Sequence, residues 1–167
     1  IWKENASERL KIKIENITTG TAHYFTYIIN NKGLRVDVSG GTGGTGGNGG
    51  DGGDGKDGKT KSNDKIKTPG DGGYGGNGGN GGSGGSGGLV TVYLHENAAS
   101  FKPYIIIATG GGIGGEGGFG GKGGEGGAPL TGQAKGDDGL EGSPGINGLQ
   151  GINGPNPIFV IDEFDFE

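Results

Sequence analysis

Short stretches of this chain alternate apolar and polar residues, and long stretches between them carry glycine at every third position. The alternation is clearest where Leu10, Ile12 and Ile14 are separated by charged residues. A period of two is that of a half-buried β-strand. It predicts strands at residues 10–15, 22–30, 34–38, 89–95, 104–109 and 158–166, with a hairpin at residues 96–103. We expect the first three strands to form an antiparallel meander, because only short turn sequences separate them.

The glycine repeat predicts a different backbone. Four runs have glycine at one or two positions of every three; we call them, in chain order, the first, second, third and fourth glycine segments (residues 40–58, 70–88, 110–127 and 136–154). A period of three is not that of an α-helix or a strand, but it matches the three-residue turn of polyproline II. We therefore predict that each segment is a polyglycine-II helix.

These elements predict a mostly β chain that also contains polyproline-II-type structure. We expect one domain over residues 1–167, in which a small antiparallel β base (residues 1–39, 89–109 and 157–167) carries the four segments as antiparallel rods. The rods must pack together, because polyglycine II has no internal hydrogen bonds and ordering each residue costs about 1–2 kcal/mol.

A three-residue turn gives each rod three edges. Where two residues of three are glycine, we expect both glycine edges to touch other backbones and the third edge to face water. That third edge is mostly polar in the first and second segments: Thr42, Thr45, Asn48, Asp51, Asp54 and Asp57, then Asp71, Tyr74, Asn77, Asn80, Ser83 and Ser86. The fourth segment keeps a single glycine edge, so we expect it to have fewer neighbours.

The third and fourth segments carry apolar residues that lie in phase with the repeat. In a hairpin Ile113 would come level with Ile152, and Phe119 with Ile146, so that the two rows pack together. The alternative is a stripe that docks a partner protein, since contiguous exposed apolar rows commonly mark interfaces. The candidate stripe consists of Ile113, Phe119, Leu140, Ile146, Leu149 and Ile152.

Composition and charge exclude several function classes. Glycine accounts for 48 of 167 residues and hydrophobic residues for only 28%, so disordered glycine segments are an alternative that the β-strands argue against. The net charge of −5 disfavours binding to nucleic acid. The chain has no cysteine, which excludes disulfides and thiolate metal sites. No apolar run reaches the roughly 18 residues of a transmembrane helix.

Motifs that resemble chemical sites lack the structure they require. The Gly-x-Gly-x-x-Gly of residues 110–115 continues into more glycine, whereas a dinucleotide site needs an α-helix there. Residues 46–54 resemble a calcium-binding nonapeptide, but Gly53 replaces its core aliphatic residue. Asp51, Asp54 and Asp57 would stand about 9 Å apart along a polyproline-II rod, too far to share an ion. We predict no cofactor, no metal and no enzymatic activity.

Two other structures use similar repeats. The fourth segment is a Gly-X-Y sequence, but Pro144 and Pro155 are too few for a collagen triple helix. Thr42 and Thr45 begin a ladder of the kind found on ice-binding faces, and Asn48 interrupts it. Because the two threonines lie in phase, ice binding is kept as an alternative function despite this interruption.

The runs GGTGGTGGNGGDGGDG and GGYGGNGGNGGSGGSGG resemble the polyglycine-II bundles of phage tail-fibre tip adhesins. The order of strand, glycine run and strand is also similar to glycine-rich, collagen-like surface proteins of Bacteroidota. Rods of this kind occur in the N-terminal domain of Obg GTPases and in springtail antifreeze proteins. The resemblance covers about two-thirds of the chain. It implies a bundle architecture and an extracellular or cell-surface setting, and it implies no catalytic residue.

These observations predict a non-enzymatic recognition protein of a cell surface, whose partner is a protein or a glycan. The loops at residues 59–69 and 128–135 are expected to bind it, because loops on rigid scaffolds commonly carry binding residues. The first of them is locally basic and favours an anionic target. The alternative is an accessory structural subunit of a larger outer-membrane or cell-surface assembly. The candidate recognition residues are Lys59, Lys61, Asn63, Lys65, Lys67, Leu130, Gln133 and Lys135.

Overall fold

A computed structural model describes residues 1–3, 9–16, 20–28, 33–60 and 66–163 of the chain. The sequence predicts one domain, whereas the structure divides the chain into two compact units. We call them the strand unit (Ile1–Gly40, Ser86–Gly111 and Ile152–Glu167) and the glycine unit (Gly41–Gly85 and Gly112–Gly151).

The described residues contain strands and one 3₁₀ helix, Glu96–Tyr104, so the prediction of a mostly β chain is confirmed. The strands are β1 (Trp2–Lys3), β2 (Arg9–Asn16), β3 (Thr21–Ile28), β4 (Leu34–Asp37), β5 (Lys59–Thr60), β6 (Ile66–Lys67), β7 (Thr91–His95), β8 (Ile105–Ala108) and β9 (Ile158–Asp162).

The strand unit combines antiparallel and parallel pairing. Strands β1, β2 and β3 form an antiparallel sheet in that order, with Leu10 opposite Tyr27. Strand β4 pairs with β8 and β7 with β9, and both pairs are parallel. The sequence predicted a purely antiparallel base, which is wrong because the β4–β8 and β7–β9 pairs are parallel. It also placed β4 as the third strand of the meander, which is wrong because β4 pairs with β8. Its parallel ladder with β8 continues past the strands, where the Gly40 N–H donates to the Gly110 carbonyl at 2.8 Å.

Residues 96–103, predicted as a hairpin, belong to the 3₁₀ helix. The His95 side chain caps the helix by accepting the Asn97 N–H at 3.2 Å. The Asn97 side chain in turn pairs with β1, because it donates to the Lys3 carbonyl at 2.8 Å and accepts the Lys3 N–H at 3.1 Å. The Asn97 side chain thus makes the pair of hydrogen bonds to β1 that the backbone of a neighbouring strand would make.

The buried apolar side chains of the described residues all lie in the strand unit. They come from β2, β4, β7, β8 and the 3₁₀ helix, and Phe101 stacks on Tyr104 with ring centroids 5.5 Å apart. The core residues are Leu10, Ile12, Leu34, Val92, Leu94, Ala98, Phe101 and Ile105.

In the glycine unit, backbone hydrogen bonds join the four glycine segments at every third residue. The Gly43 N–H donates to the Ile113 carbonyl at 2.8 Å, and the same bond recurs along the first and third segments up to Gly58 and Ala128. Equivalent bonds join the first segment to the second, the second to the third and fourth, and the third to the fourth. The N–H donors of these ladders are glycines throughout.

Register shows the direction of each pair. Residue numbers rise together between the first and third segments and between the second and fourth, so these pairs are parallel; the other bonded pairs are antiparallel. The second and third segments each have three neighbours. The fourth has two, which is fewer than the second and third segments, as expected, but as many as the first. The one glycine per turn of the fourth segment is required, because a Cβ on Gly139 would overlap the Gly73 carbonyl.

The polar edges, predicted to face water, also bond to the neighbouring segment. The Asn48 Oδ1 accepts the Phe119 N–H at 3.0 Å, and the Asn77 Oδ1 accepts the Ser143 N–H at 2.9 Å. These N–H groups are the ones that the glycine ladders leave unpaired. The remaining acceptors of this kind are Asp51, Asp54, Asp57, Asp71, Asn80, Asp138 and Asn147 in the glycine unit, and Asn153 in the strand unit.

Candidate functional site

The two predicted recognition loops meet at one end of the glycine unit, around Gly58. The Gly58 N–H donates to the Ala128 carbonyl at 2.9 Å, which joins the start of one loop to the start of the other. A Cβ on Gly58 would stand 2.6 Å from the Gln133 Oε1 and 3.3 Å from the Lys67 carbonyl oxygen. Gly58 is therefore the position at which both loops come close enough to form one surface.

The first loop places two lysines opposite each other. Strands β5 and β6 pair antiparallel with Lys59 across from Lys67, and both side chains are exposed. Like charges directly opposite in a ladder are destabilising. Neither lysine has an ion-pair partner among the described residues. Lys61, Asn63 and Lys65, the other candidates in this loop, lie outside the described residues.

An open depression adjoins this lysine pair. It is lined by Gly55, Lys56, Asp57, Lys59 and Lys67, so three basic residues and one acidic residue border it. The Asp57 Oδ1 is already engaged, because it accepts the Ala128 N–H at 2.8 Å. Local charge thus favours an anion in this depression.

The second loop is a closed turn that neutralises its own lysine. The Leu130 and Gln133 backbones bond at 2.9 Å, and both residues are half-buried. Gly132 between them has φ +84°, a conformation that favours glycine. Lys135 forms an ion pair with Asp138 at 2.6 Å, which raises the pKa of the lysine.

The pKa of Asp138 is lowered mainly by the hydrogen bond from Lys135 and further by the Gly126 N–H. Lys135 is consequently a weaker anion site than Lys59 or Lys67. Leu130 and Gln133 shape the turn more than they present a binding surface.

The candidate docking stripe is split into separate rows. Phe119 lies beside the first segment, whose Asn48 side chain bonds its N–H, whereas Ile146 lies beside the second segment, whose Asn80 bonds its N–H at 2.9 Å. The two side chains stay 75% and 73% exposed, which argues against the expected packing of these residues on each other. Five members of the candidate stripe lie in the glycine unit, and their side chains are 68–76% exposed: Ile113, Phe119, Leu140, Ile146 and Leu149. Ile152 belongs to the strand unit and is 77% exposed.

The described residues show neither a metal-ligand cluster nor a membrane-spanning helix. In the part of the chain that the structure describes, no three His, Cys, Asp or Glu residues come together as metal ligands. No described helix is long and apolar enough to span a bilayer. His95 has a structural role as the cap of the 3₁₀ helix.

No protein-family model, no curated protein and no solved structure matches this chain.

Proposed function

We propose that this chain is a non-enzymatic recognition protein of a cell surface, in which the four glycine segments form a polyglycine-II bundle. Glycine N–H groups donate to carbonyls of the neighbouring segments, and these bonds repeat at every third residue. They support the bundle, because a single polyglycine-II helix has no hydrogen bonds of its own. The loops around Gly58 are the proposed recognition surface. Their partner is an acidic protein surface or an anionic glycan, in an extracellular setting.

The observation that carries this proposal is the pair Lys59 and Lys67, which no described residue neutralises. Two lysines held opposite each other repel, and an anion bound between them would remove that repulsion. Lys56 adds a third charge at the same depression. The rigid, hydrogen-bonded segments behind the loops keep these charges in place when the ligand is absent.

The test is binding to intact cells and to a sulfated polysaccharide, with a neutral polysaccharide as reference. Replacing Lys59→Gln and Lys67→Gln together should weaken binding by up to about thirtyfold, because exposed ion pairs contribute about 0.2–1 kcal/mol each. Lys102→Gln with Lys122→Gln removes the same net charge elsewhere and should have little effect. Equal losses in the two double variants would show that only net charge matters and would reject the loop surface.

A structural subunit of a larger surface assembly is the second candidate. The exposed rows on the third and fourth segments favour it, since Phe119 and Leu149 are 75% and 76% exposed. Phe119→Ser and Leu149→Ser should then abolish co-purification of a partner from the source cells. The lysine variants should leave that co-purification intact, so the two functions are separable.

A further inference from the structure

At one row of positions in the first segment, no contact within the described residues requires the residue to be glycine. A Cβ added to any of them would meet nothing within 4 Å, whereas one added to the neighbouring Gly46 or Gly49 would overlap backbone. Their φ angles are not positive, so the backbone conformation does not demand glycine. Glycine nevertheless costs about 0.5–1 kcal/mol relative to alanine in an ordered element. The row consists of Gly41, Gly44, Gly47, Gly50 and Gly53.

A second exposed glycine row lies directly beside the first. The Gly79 N–H donates to the Gly47 carbonyl at 2.7 Å, and each glycine of one row is bonded to a glycine of the other in the same way. The two rows make one surface without side chains, which we call the open glycine face. The second row consists of Gly73, Gly76, Gly79, Gly82 and Gly85.

The open glycine face presents main-chain groups that have no partner. Among the described residues, the N–H groups of the first row, such as that of Gly47, find no acceptor. The carbonyls that follow each glycine of the second row, such as that of Asn80, receive no donor from the described residues either. A line of free donors beside a line of free acceptors is the arrangement by which edge strands recruit another chain.

The same arrangement is occupied elsewhere in the glycine unit. Between the second and third segments, Gly79 accepts the Gly118 N–H on its carbonyl and gives its own N–H to the first segment. The Phe119 carbonyl, which follows Gly118, accepts the Gly49 N–H of the first segment at 2.8 Å. On the open glycine face Gly47 stands in the place of Gly79, and Asn80 in the place of Phe119. The open face is thus an unfilled equivalent of the surface that holds the first segment.

The occupied surface also shows what kind of chain fits. The first segment inserts one glycine per turn, and a Cβ on Gly46 or Gly49 would overlap the opposing carbonyls of Gly79 or Gly76. Of its other two positions per turn, one carries residues such as Thr45 and Asn48, and at the other a Cβ on Gly47 would meet nothing within 4 Å. An occupant of the open face therefore needs glycine at every third position and no more.

We propose that the open glycine face binds a Gly-X-Y segment of a partner chain, antiparallel to the first segment and parallel to the second. The proposal rests on the polyglycine-II packing suggested above and is independent of the lysine surface. A second copy of this chain is a poorer occupant, because the inward glycine rows of its segments are already bonded to one another.

The test uses backbone amide NMR with the peptide GSPGINGLQGING, which is neutral and repeats glycine at every third position. Adding it should shift the N–H signals of Gly44, Gly47 and Gly50 and slow their hydrogen exchange at least tenfold. A peptide of the same composition with the glycine phase scrambled should do neither. No response, or an equal response to the scrambled peptide, would overturn the proposal.

A matched pair of variants checks the location. Gly47→Val with Gly50→Val should leave the fold intact, because both Cβ positions are open, and should abolish the peptide response. Thr45→Val on the adjacent edge should preserve it. Peptide shifts confined to the fourth segment would indicate strand exchange, and concentration-dependent protection without peptide would indicate self-association; either result overturns the proposal. Rapid exchange at the bonded Gly46 and Gly49 would instead reject the packing on which it rests.

Discussion

The strand unit and the glycine unit are stabilised by opposite parts of the chain. In the strand unit, side chains such as Leu10 and Leu94 are fully buried, at 0% exposure. Among the described residues the glycine unit has no buried apolar side chain, and its buried positions, such as Gly118 and Gly121, are backbone against backbone. The comparison shows that hydrogen-bonded main chain can replace a hydrophobic core, provided that side chains are kept out of the contacts.

This difference reverses the expected response to mutation. A core of side chains is weakened when atoms are removed, because a cavity is left. A core of backbone is weakened when atoms are added, because touching main chains cannot move apart without losing their bonds. The following predictions test this reversal, from the largest expected effect to the smallest.

Gly118→Val should have the largest effect. A Cβ there would overlap the Gly47 carbonyl, and a β-branched side chain adds further bulk. We expect a loss of at least about 3 kcal/mol, the upper end of typical overpacking, measured by thermal unfolding and by amide exchange of the glycine unit. Gly47→Val is the same chemical change at an open position and should be nearly silent. Similar unfolding temperatures for the two variants would contradict the backbone-core interpretation.

Leu94→Ala tests the other unit by removing atoms. Leu94 has 0% exposure and belongs to the core cluster, so we expect a loss of about 2–5 kcal/mol. The adjacent Tyr93, which is 57% exposed, provides a control, and Tyr93→Ala should cost much less. Chemical denaturation followed by far-ultraviolet circular dichroism measures both. If Leu94→Ala were as mild as Tyr93→Ala, the strand unit would not depend on this core.

Asn77→Ala should have an intermediate effect. It removes the acceptor of the Ser143 N–H, and a typical hydrogen bond contributes about 0.5–1.5 kcal/mol. Ser83 lies on the same edge and has no hydrogen-bonded side chain among the described residues, so Ser83→Ala is the control. The exchange rate of the Ser143 amide is the most direct measurement. An unchanged rate would show that water replaces the asparagine without loss.

The pH dependence of Asp138 should be the smallest effect. Its pKa is lowered from the usual 3.8, first by Lys135 and then by the Gly126 N–H. The lowered pKa means that the carboxylate stabilises the fold above about pH 4 and loses this effect as the pH falls through the folded value. Lys135→Gln should move the pKa of Asp138 upward in an NMR titration of its carboxyl carbon. A pKa unmoved by Lys135→Gln would assign the shift to the Gly126 N–H instead.

Local patterns in the sequence predicted the local structure well. Alternation located β2, β3, β7 and β8 to within a few residues, and these strands led to the correct prediction that the described chain is mostly β. For the candidate site, the basic character of the first loop pointed to Lys59 and Lys67. The ion pair that neutralises Lys135 was not visible in the sequence, because its partner Asp138 lies in the fourth segment and not in the loop.

What only the tertiary structure decided is which groups meet. The parallel partner of β4, the Asn and Asp bonds to neighbouring segments and the open glycine face all depend on contacts between residues far apart in the chain. The recurrence of Asn and Asp in phase was a usable signal, since these side chains commonly bond backbone. For glycine there is no such signal. Gly46 and Gly47 are adjacent residues of the same type. Only their neighbours in space show that Gly46 cannot carry a side chain, whereas Gly47 has room for one.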